Sequence, residues 1–334
     1  MDRFIPKENT IILEVTNLNY ALLIIGFIIL IKGADFFIDG ASSIAKIAKI
    51  PSLLIGLTIV AFGTSAPEAA VSINAAMKGA NDIAIGNIIG SNIFNLLVAV
   101  GISAMIRPIK VQKTTIIKEY PLSIYSVAVL IILSLDMLFS GQNANVLTRG
   151  DGIILLLGFG IFMFYLVEMA ISSKEADDEM EQIVKLPLSK SILYSVLGLI
   201  GVVFGGDIVV KAATEIAVNL GMSQTLVGLT IVAVGTSLPE LVTSITAARK
   251  GESDIAIGNI IGSGLFNIFF VLGVSATIHP IEVSSKLVFD FVVLAIVTLI
   301  SHAFSFSNKE VDKKEGFSLV IMYVAYMVYI VIRN

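Results

Sequence analysis

Long apolar runs, separated by short polar breaks, cover almost the whole chain. Each run has about 18 residues or more, the length that an α-helix needs to cross the hydrocarbon core of a bilayer. The runs are continuous, unlike the short alternating segments of a membrane β-barrel. The pattern therefore predicts an all-α integral membrane protein with ten transmembrane helices, at residues 18–45, 51–77, 82–106, 119–140, 151–172, 190–218, 223–248, 253–278, 286–306 and 315–332.

Composition agrees with this membrane assignment. Of the 334 residues, 56% are hydrophobic and 14% are charged, and the mean hydropathy is +0.93. The chain has no cysteine, which excludes disulfides and thiolate metal sites. Residues 1–17 carry scattered charges and predict a polar or interfacial N-terminal arm, not a cleavable signal. We expect the lipid bilayer to be the main partner, with no nucleic acid and no obligate protein partner.

One stretch of the chain occurs twice. Residues 56–101 recur at 228–273 with a constant offset of 172 and no gap, and roughly two thirds of the aligned positions are identical. The similarity extends further, so the repeated unit is five helices, residues 18–172 and 190–332, joined by an acidic linker at 173–189. Because five is odd, the second unit is expected to enter the membrane inverted. Many secondary transporters are built from inverted repeats with a binding site near the bilayer midplane.

Loop charges give an independent orientation. If the N-terminus lies outside the cytoplasm, the predicted cytoplasmic loops hold 14 Lys and Arg residues and the opposite side holds 6. Positive charge concentrates in cytoplasmic loops of membrane proteins. The distribution therefore predicts that both termini lie outside the cytoplasm.

The first polar segment of each copy contains a proline at membrane depth. In Gly63–Glu68, Pro67 cannot donate a backbone hydrogen bond and leaves the carbonyl of Gly63 free. A free carbonyl at this depth is tolerated only in a protein-lined or watery cavity. Thr64 and Glu68 are four residues apart and lie on one helix face. The second copy repeats these features at Gly235, Thr236, Ser237, Pro239 and Glu240.

A second polar segment follows in each copy. Asn87, Ser91 and Asn95 recur at every fourth residue and form a stripe, which the second copy repeats at Asn259, Ser263 and Asn267. The pooled ligands are oxygens, a set that suits hard cations such as Ca²⁺ or Na⁺. Two buried glutamates without an opposing Lys or Arg need cations or protons to balance them. When the site is empty, its charge near −2 opposes the change that opens it to the other side of the membrane. The protein must therefore exchange one cation for another.

These motifs resemble a known superfamily. The sequences GTSAPE at 63–68 and GTSLPE at 235–240, each followed by a GNIIGS stretch, resemble the α-repeats of the calcium/cation antiporters, in particular sodium/calcium exchangers and their prokaryotic relatives. Calcium/proton exchangers of this superfamily typically carry a GNxxE form, so the sodium branch fits better. Asn267 stands where potassium-dependent relatives have aspartate. The linker is also too short for the calcium-sensing domains of animal exchangers.

The resemblance implies roles for individual residues. Thr64, Glu68, Thr236 and Glu240 would form a central calcium site. The flanking sodium sites would use Ser65, Ser91, Asn95, Ser237, Ser263 and Asn267, with backbone carbonyls near Ala61 and Ala233. It implies a sodium/calcium antiporter in the inner membrane of a prokaryotic cell, with alternating access, transported Ca²⁺ and Na⁺ and no cofactor.

The same residues also fit functions other than sodium/calcium exchange. A proton/calcium or other cation antiporter could use the same carboxylates, and a cation channel could use the same oxygens. An enzyme is disfavoured because no histidine or cysteine accompanies either glutamate. Asn87 and Asn259 could serve only to hold helices together, and Asp82 and Asp254 fit helix starts. Local ion pairs are predicted between Asp35 and Lys32 and between Asp207 and Lys211.

Overall fold

The computed structural model describes residues 7–139, 141, 144–172, 186–222 and 233–333, and these are mostly helical. The helices of the described residues are α1 Lys7–Ala48, α2 Ser52–Thr64, α3 Ala66–Met77, α4 Asn81–Ile106, α5 Thr115–Ser134, α6 Asp136–Phe139, α7 Arg149–Ser172, α8 Leu188–Asn219, α9 Ala233–Thr236, α10 Leu238–Lys250, α11 Ser253–Ile278, α12 Ser285–Asn308 and α13 Lys313–Arg333. Four two-residue strands complete the described elements: β1 Ile109–Lys110, β2 Val146–Leu147, β3 Ile281–Glu282 and β4 Glu310–Val311.

Most of the predicted spans appear as long apolar helices. Within the described residues, 8 helices are long and apolar enough to cross a membrane, and the bent pair α2 and α3 would make a ninth. Predicted span 223–248 is described only from Ala233 onward, as α9 and α10, because residues 223–232 lie outside the described ranges. Most of the predicted linker, residues 173–185, also lies outside them. The chain is a multi-pass integral membrane protein.

The N-terminal end of the chain differs from the sequence prediction. Helix α1 begins at Lys7 and continues without a break to Ala48, so much of the predicted arm is helical. Residues 1–6 lie outside the described ranges. The charged residues of this segment are compatible with a helix, and only the apolar part, from Leu18, passes the test for a membrane span.

Helices α1 and α8 pack against each other along their length, and glycines allow their close approach. A Cβ atom on Gly33 would lie 2.6 Å from the backbone nitrogen of Val202, and one on Gly198 would lie 2.3 Å from that of Phe37. Small residues let membrane helices bring their backbones together in this way. The predicted equivalence of the two helices is thus accompanied by direct packing.

Helices α4 and α11, which carry the second polar segments, are the most buried spans among those described. Both contain wide π-helical turns, at Asn95–Ala99 and Phe266–Leu272, and α2 has one at Gly56–Val60. Such turns occur often at functional sites because they re-aim neighbouring side chains. A Cβ atom on Gly258 would lie 2.9 Å from the carbonyl oxygen of Leu53, so α11 contacts α2 directly. The two motif copies therefore meet in the centre of the protein.

The short strands link the two units by two reciprocal pairings. Strand β1 pairs antiparallel with β4, placing Ile109 opposite Val311. Strand β3 pairs antiparallel with β2, placing Ile281 opposite Leu147. Ile109 and Ile281 are separated by the same offset of 172 as the motif copies.

Candidate cation site

The first copy of the motif is broken at Ser65. Helix α2 ends at Thr64, Ser65 takes φ −82° and ψ 5°, and α3 begins with Pro67 in its first turn. The two helices are bent by 50°. This break places Glu68 in the first turn of α3, where the partial positive charge of the helix N-terminus favours a carboxylate. In the second copy, Ser237 takes φ −93° and ψ 5°, and α10 begins with Pro239 and Glu240 in its first turn.

The two carboxylates are hydrogen-bonded across the copies. The hydroxyl of Ser65 donates to Oε1 of Glu240 at 2.8 Å, and the hydroxyl of Ser237 donates to Oε1 of Glu68 at 3.0 Å. Ser91 also donates to Oε1 of Glu68, at 3.2 Å, and lies 2.8 Å from the Ser237 hydroxyl. Both carboxylates are fully buried. Their Oε2 atoms are buried too and have no hydrogen-bond partner among the described residues.

Two asparagines hold the threonines of the opposite copy. The amide nitrogen of Asn87 donates to the Ser72 hydroxyl at 2.9 Å and to the backbone carbonyl of Glu68 at 3.4 Å. Its oxygen accepts from the Thr236 hydroxyl at 3.4 Å. The second copy repeats these contacts at 2.9, 3.4 and 3.0 Å, with Asn259 bound to Ser244, Glu240 and Thr64. These asparagines therefore orient site threonines as well as linking helices.

The predicted carbonyl of Ala61 also meets the other copy. Its oxygen accepts the backbone N–H of Ser65 at 3.0 Å and the hydroxyl of Ser263 at 3.4 Å. Thr64 lies within hydrogen-bonding distance of the Val60 carbonyl, at 3.0 Å, as well as of Asn259. Its single proton can serve only one of these acceptors at a time.

The hydrogen bonds gather most of the predicted ligands into two groups, one around each carboxylate, and each group contains residues of both copies. Among the hydrogen bonds of the described residues, three predicted residues lie outside both groups. Asn95 is fully buried at the start of a π-helical turn, and neither of its amide atoms has a partner among the described residues. Asn267 is bonded to Asn92 on α4. Ala233 opens the short helix α9, three residues before Thr236.

Three residues that the sequence interpretation did not single out are bonded to predicted ligands or to their asparagines: Ser72, Ser244 and Asn92. Ser72 and Ser244 are related by the offset of 172, which was a signal that the two serines shared a role. Asn92 gave the opposite signal, because glycine stands at the equivalent position 264, directly after a run of ten identical residues.

One predicted ion pair is wrong. Asp35 pairs with Arg249 at 3.0 Å and with Lys250 at 3.7 Å, instead of with Lys32. The reason is packing, because the end of α10 reaches the side of α1. The predicted pair of Lys211 with Asp207 is confirmed, at 2.7 Å.

The arrangement suits a hard cation. Oxygen atoms from carboxylates, hydroxyls, amides and one backbone carbonyl converge in a buried region, and such ligands prefer Ca²⁺ or Na⁺ over transition metals. Two buried carboxylates, each with an unpartnered oxygen, require a positive charge to stabilise them. A bound cation or a proton would supply that charge.

Comparison with known proteins decides the family. The family described as sodium/calcium exchanger protein matches residues 18–168 and 190–332. The chain belongs to the sodium/calcium exchanger protein family. Members of this family are transporters, and the findings support antiport of Ca²⁺ with another cation by this chain.

Similar proteins support the assignment across the whole chain. Inner membrane protein YrbG of Escherichia coli is 37% identical over 84% of this chain and 86% of its own length. Sodium/calcium exchanger MaX1 of Methanosarcina acetivorans is 31% identical over 93% and 97%. The solved structure of the sodium-calcium exchanger NCX_Mj, soaked with Na⁺ without Ca²⁺, superposes with a TM-score of 0.80 at 29% identity, covering 94% of this chain and 99% of that one.

Proposed function

We propose that this protein exchanges Na⁺ for Ca²⁺ across a membrane by alternating access to one shared site. The observation that carries the proposal is the reciprocal pair of hydrogen bonds, from Ser65 to Glu240 and from Ser237 to Glu68. Because each copy of the motif supplies a ligand to the other copy's carboxylate, the two glutamates form one site. Thr64 and Thr236 complete a central calcium site.

Sodium is proposed to bind beside this central position. The flanking ligands are hydroxyls, amides and carbonyls, which carry no net charge and suit a monovalent cation. They are Ser65, Ser91, Asn95, Ser237, Ser263 and Asn267, with the carbonyls of Ala61 and Ala233. The name of MaX1 supports sodium as the exchanged ion.

Charge explains why exchange is obligatory. The empty site holds two buried carboxylates, and moving an unbalanced charge through a region of low dielectric is unfavourable. One Ca²⁺ or two Na⁺ remove this penalty. The loaded protein therefore changes its accessibility easily, whereas the empty protein does not.

The proposed architecture is ten spans in two inverted five-helix units, residues 18–172 and 190–332. Its support is the reciprocal pairing of β1 with β4 and of β2 with β3, in which each unit contributes one strand to each pair. The loop charges favour both termini outside the cytoplasm. The name of YrbG supports a prokaryotic inner membrane.

Calcium flux in proteoliposomes tests the function. Vesicles loaded with sodium and diluted into sodium-free medium should accumulate Ca²⁺, and equal sodium on both sides should abolish the uptake. A proton ionophore serves as the control, because it dissipates any pH gradient and should leave sodium-driven uptake intact. Uptake that follows only a pH gradient would instead establish proton/calcium exchange. Calcium current without any exchanged ion would establish a channel.

A further inference from the structure

The two copies of the motif differ at one buried position beside the site. Asn92 on α4 is 3% exposed, and its counterpart on α11 is Gly264. The nearest atoms to a Cβ placed on Gly264 are those of the Asn92 amide, at 4.0 Å. The side chain of Asn92 therefore lies directly opposite its own counterpart. Gly264 has no side chain that would occupy the same space.

Hydrogen bonds fix which end of the Asn92 amide faces which neighbour. One end lies 3.4 Å from the backbone carbonyl of Gly264. A carbonyl can only accept, so this end must be the nitrogen. The oxygen of Asn92 consequently faces Asn267, at 3.2 Å, and can bond only to the amide nitrogen of Asn267.

The bond to Asn92 also determines which polar atom of Asn267 stays free. Once the nitrogen of Asn267 is bonded to Asn92, the remaining polar atom of Asn267 is its oxygen. That oxygen is buried and has no hydrogen-bond partner among the described residues. Asn267 lies one helical turn beyond Ser263, on the stripe that contacts the site. The backbone carbonyl of Gly264 thus determines, through Asn92, that Asn267 presents an oxygen.

The equivalent asparagine of the first copy has no such control. Asn95 corresponds to Asn267, but the residue that would orient it is Gly264, which has no side chain. Both amide atoms of Asn95 are buried without a partner among the described residues. Its amide can therefore turn either its oxygen to a cation or its nitrogen to a carboxylate. The two halves of the site are unequal.

We propose that Asn92 is a positioning residue that holds Asn267 with its oxygen available to a cation, and so sets the sodium affinity of that half of the site. The inference rests on the proposed function, in which Asn267 belongs to a sodium site. A neutral oxygen contributes a larger share of the binding of Na⁺ than of Ca²⁺, which is held mainly by two carboxylates. Loss of Asn92 should therefore weaken sodium binding more than calcium binding.

A double-mutant cycle on the purified full-length chain tests the proposal. Calcium binding and its displacement by sodium are measured for the wild type, Asn92→Ala, Asn267→Ala and the double variant. We expect Asn92→Ala to raise the sodium concentration for half-displacement about five-fold, as loss of one neutral hydrogen bond implies. Calcium affinity without sodium should change by less than about two-fold. In the double variant the effect should be no larger than in Asn267→Ala alone.

Controls separate positioning from packing. Asn92 lines a cavity with Ser123 and Thr298, so truncation to alanine enlarges a void and lowers stability by itself. Asn92→Leu keeps the number and branching of the side-chain heavy atoms but cannot orient an amide, and it should shift sodium displacement as Asn92→Ala does. Ser103→Ala, on the same helix, removes a buried hydroxyl that has no partner among the described residues and should match the wild type.

Two results would overturn the proposal: an unchanged sodium dependence in both Asn92 variants, or effects of Asn92→Ala and Asn267→Ala that simply add. A wild type whose calcium is not displaced by sodium would instead contradict the proposed function. A wild type whose calcium is displaced by sodium, combined with Asn92 variants of unchanged sodium dependence, would contradict only the role of Asn92. The two failures are therefore distinguishable.

Discussion

The region around the carboxylates and the region around Asn267 differ in how closely the two copies of the motif match. Around the carboxylates, equivalent residues make equivalent contacts: Asn87 and Asn259 each donate to a serine at 2.9 Å and to a glutamate carbonyl at 3.4 Å. Around Asn267, the contact to Asn92 has no equivalent, because the counterpart of Asn92 is a glycine. One region is duplicated and the other is unique.

The difference shows what duplication constrains. A divalent cation held between two carboxylates needs similar ligands from both sides, so substitutions in either copy unbalance the site. Residues that only orient a neutral ligand are under no such constraint. The duplicated region is therefore expected to tolerate little change in either copy, and the unique region should respond in one copy only.

The largest expected effect is at the two carboxylates. Glu68→Gln and Glu240→Gln should each abolish calcium transport, because each removes half of the negative charge that balances a desolvated divalent cation. Both losses should be complete, although Glu68 accepts hydrogen bonds from Ser237 and Ser91 and Glu240 accepts one from Ser65. Sodium-driven calcium uptake in proteoliposomes measures both variants.

A buried glutamate elsewhere provides the matched control. Glu119 on α5 is fully buried and accepts a hydrogen bond from Tyr165, away from the motif copies. Glu119→Gln should keep calcium uptake. Size-exclusion profiles of all three variants establish that they are folded. Substantial uptake by either Glu68→Gln or Glu240→Gln would contradict a site shared by both carboxylates.

The reciprocal serines should give the next largest effect. Ser65→Ala and Ser237→Ala each remove a hydroxyl bonded to the carboxylate of the other copy. Hydrogen bonds to charged groups contribute about 1.5–3 kcal/mol, which corresponds to roughly a ten-fold or greater loss of affinity. Equilibrium calcium binding should show similar losses in both variants. A loss confined to one serine would mean that the hydrogen-bonded region is less symmetrical than its contacts indicate.

Much of this site could be predicted from the chain. The apolar runs located the helices, Pro67 and Pro239 indicated where backbone hydrogen bonds are lost, and the four-residue spacing placed Ser91 and Ser263 on the stripe. The break of the predicted span 51–77 at Ser65 was not predicted. The partners across the copies could not be predicted, because periodicity within one helix does not fix which residues of another helix it meets. For the same reason the partner of Asp35 was assigned to its own helix and not to Arg249.

The role of Asn92 was also beyond the sequence. The mismatch with Gly264 is visible by alignment, but its meaning depends on the direction of an amide. That direction is set by the backbone carbonyl of Gly264. Every residue has the same carbonyl group, so the sequence does not show which one the Asn92 amide faces. Only the spatial arrangement of Gly264, Asn92 and Asn267 reveals it.

A smaller effect is expected for potassium. Two carboxylates balance one Ca²⁺, and a K⁺ carried with it would leave an unbalanced positive charge in a region of low dielectric. Replacing potassium by choline should therefore leave wild-type calcium flux unchanged. Asn267→Asp adds a third negative charge and should make the flux respond to potassium.

The surroundings of Asn267 limit what this substitution can achieve. An aspartate cannot donate to the oxygen of Asn92, so the Asn92 amide would have to turn and place its oxygen against the carbonyl of Gly264. Asn95→Asp is the control, since its position has no such partner among the described residues. A wild type that stops transporting without potassium would overturn this account of the two asparagines.

The smallest expected effect is on the unfolding temperature, and it concerns the ion pairs of α1 and α8, the two helices that are equivalent by sequence. Lys250 donates at 2.7 Å both to Asp39 and to the backbone carbonyl of Asp35, which links α10 to α1. On α8, Lys211 is largely exposed, and among the described residues it pairs only with Asp207, one turn away. Exposed pairs within a helix contribute about 0.3–0.5 kcal/mol, whereas the half-buried Lys250 should contribute about 1 kcal/mol. Lys250→Met should therefore lower the unfolding temperature in detergent more than Lys211→Met does.

Raising the salt concentration should erase the small shift of Lys211→Met by screening, and reduce that of Lys250→Met only in part. Equal shifts in the two variants would mean that the link between α10 and α1 adds nothing beyond a surface ion pair.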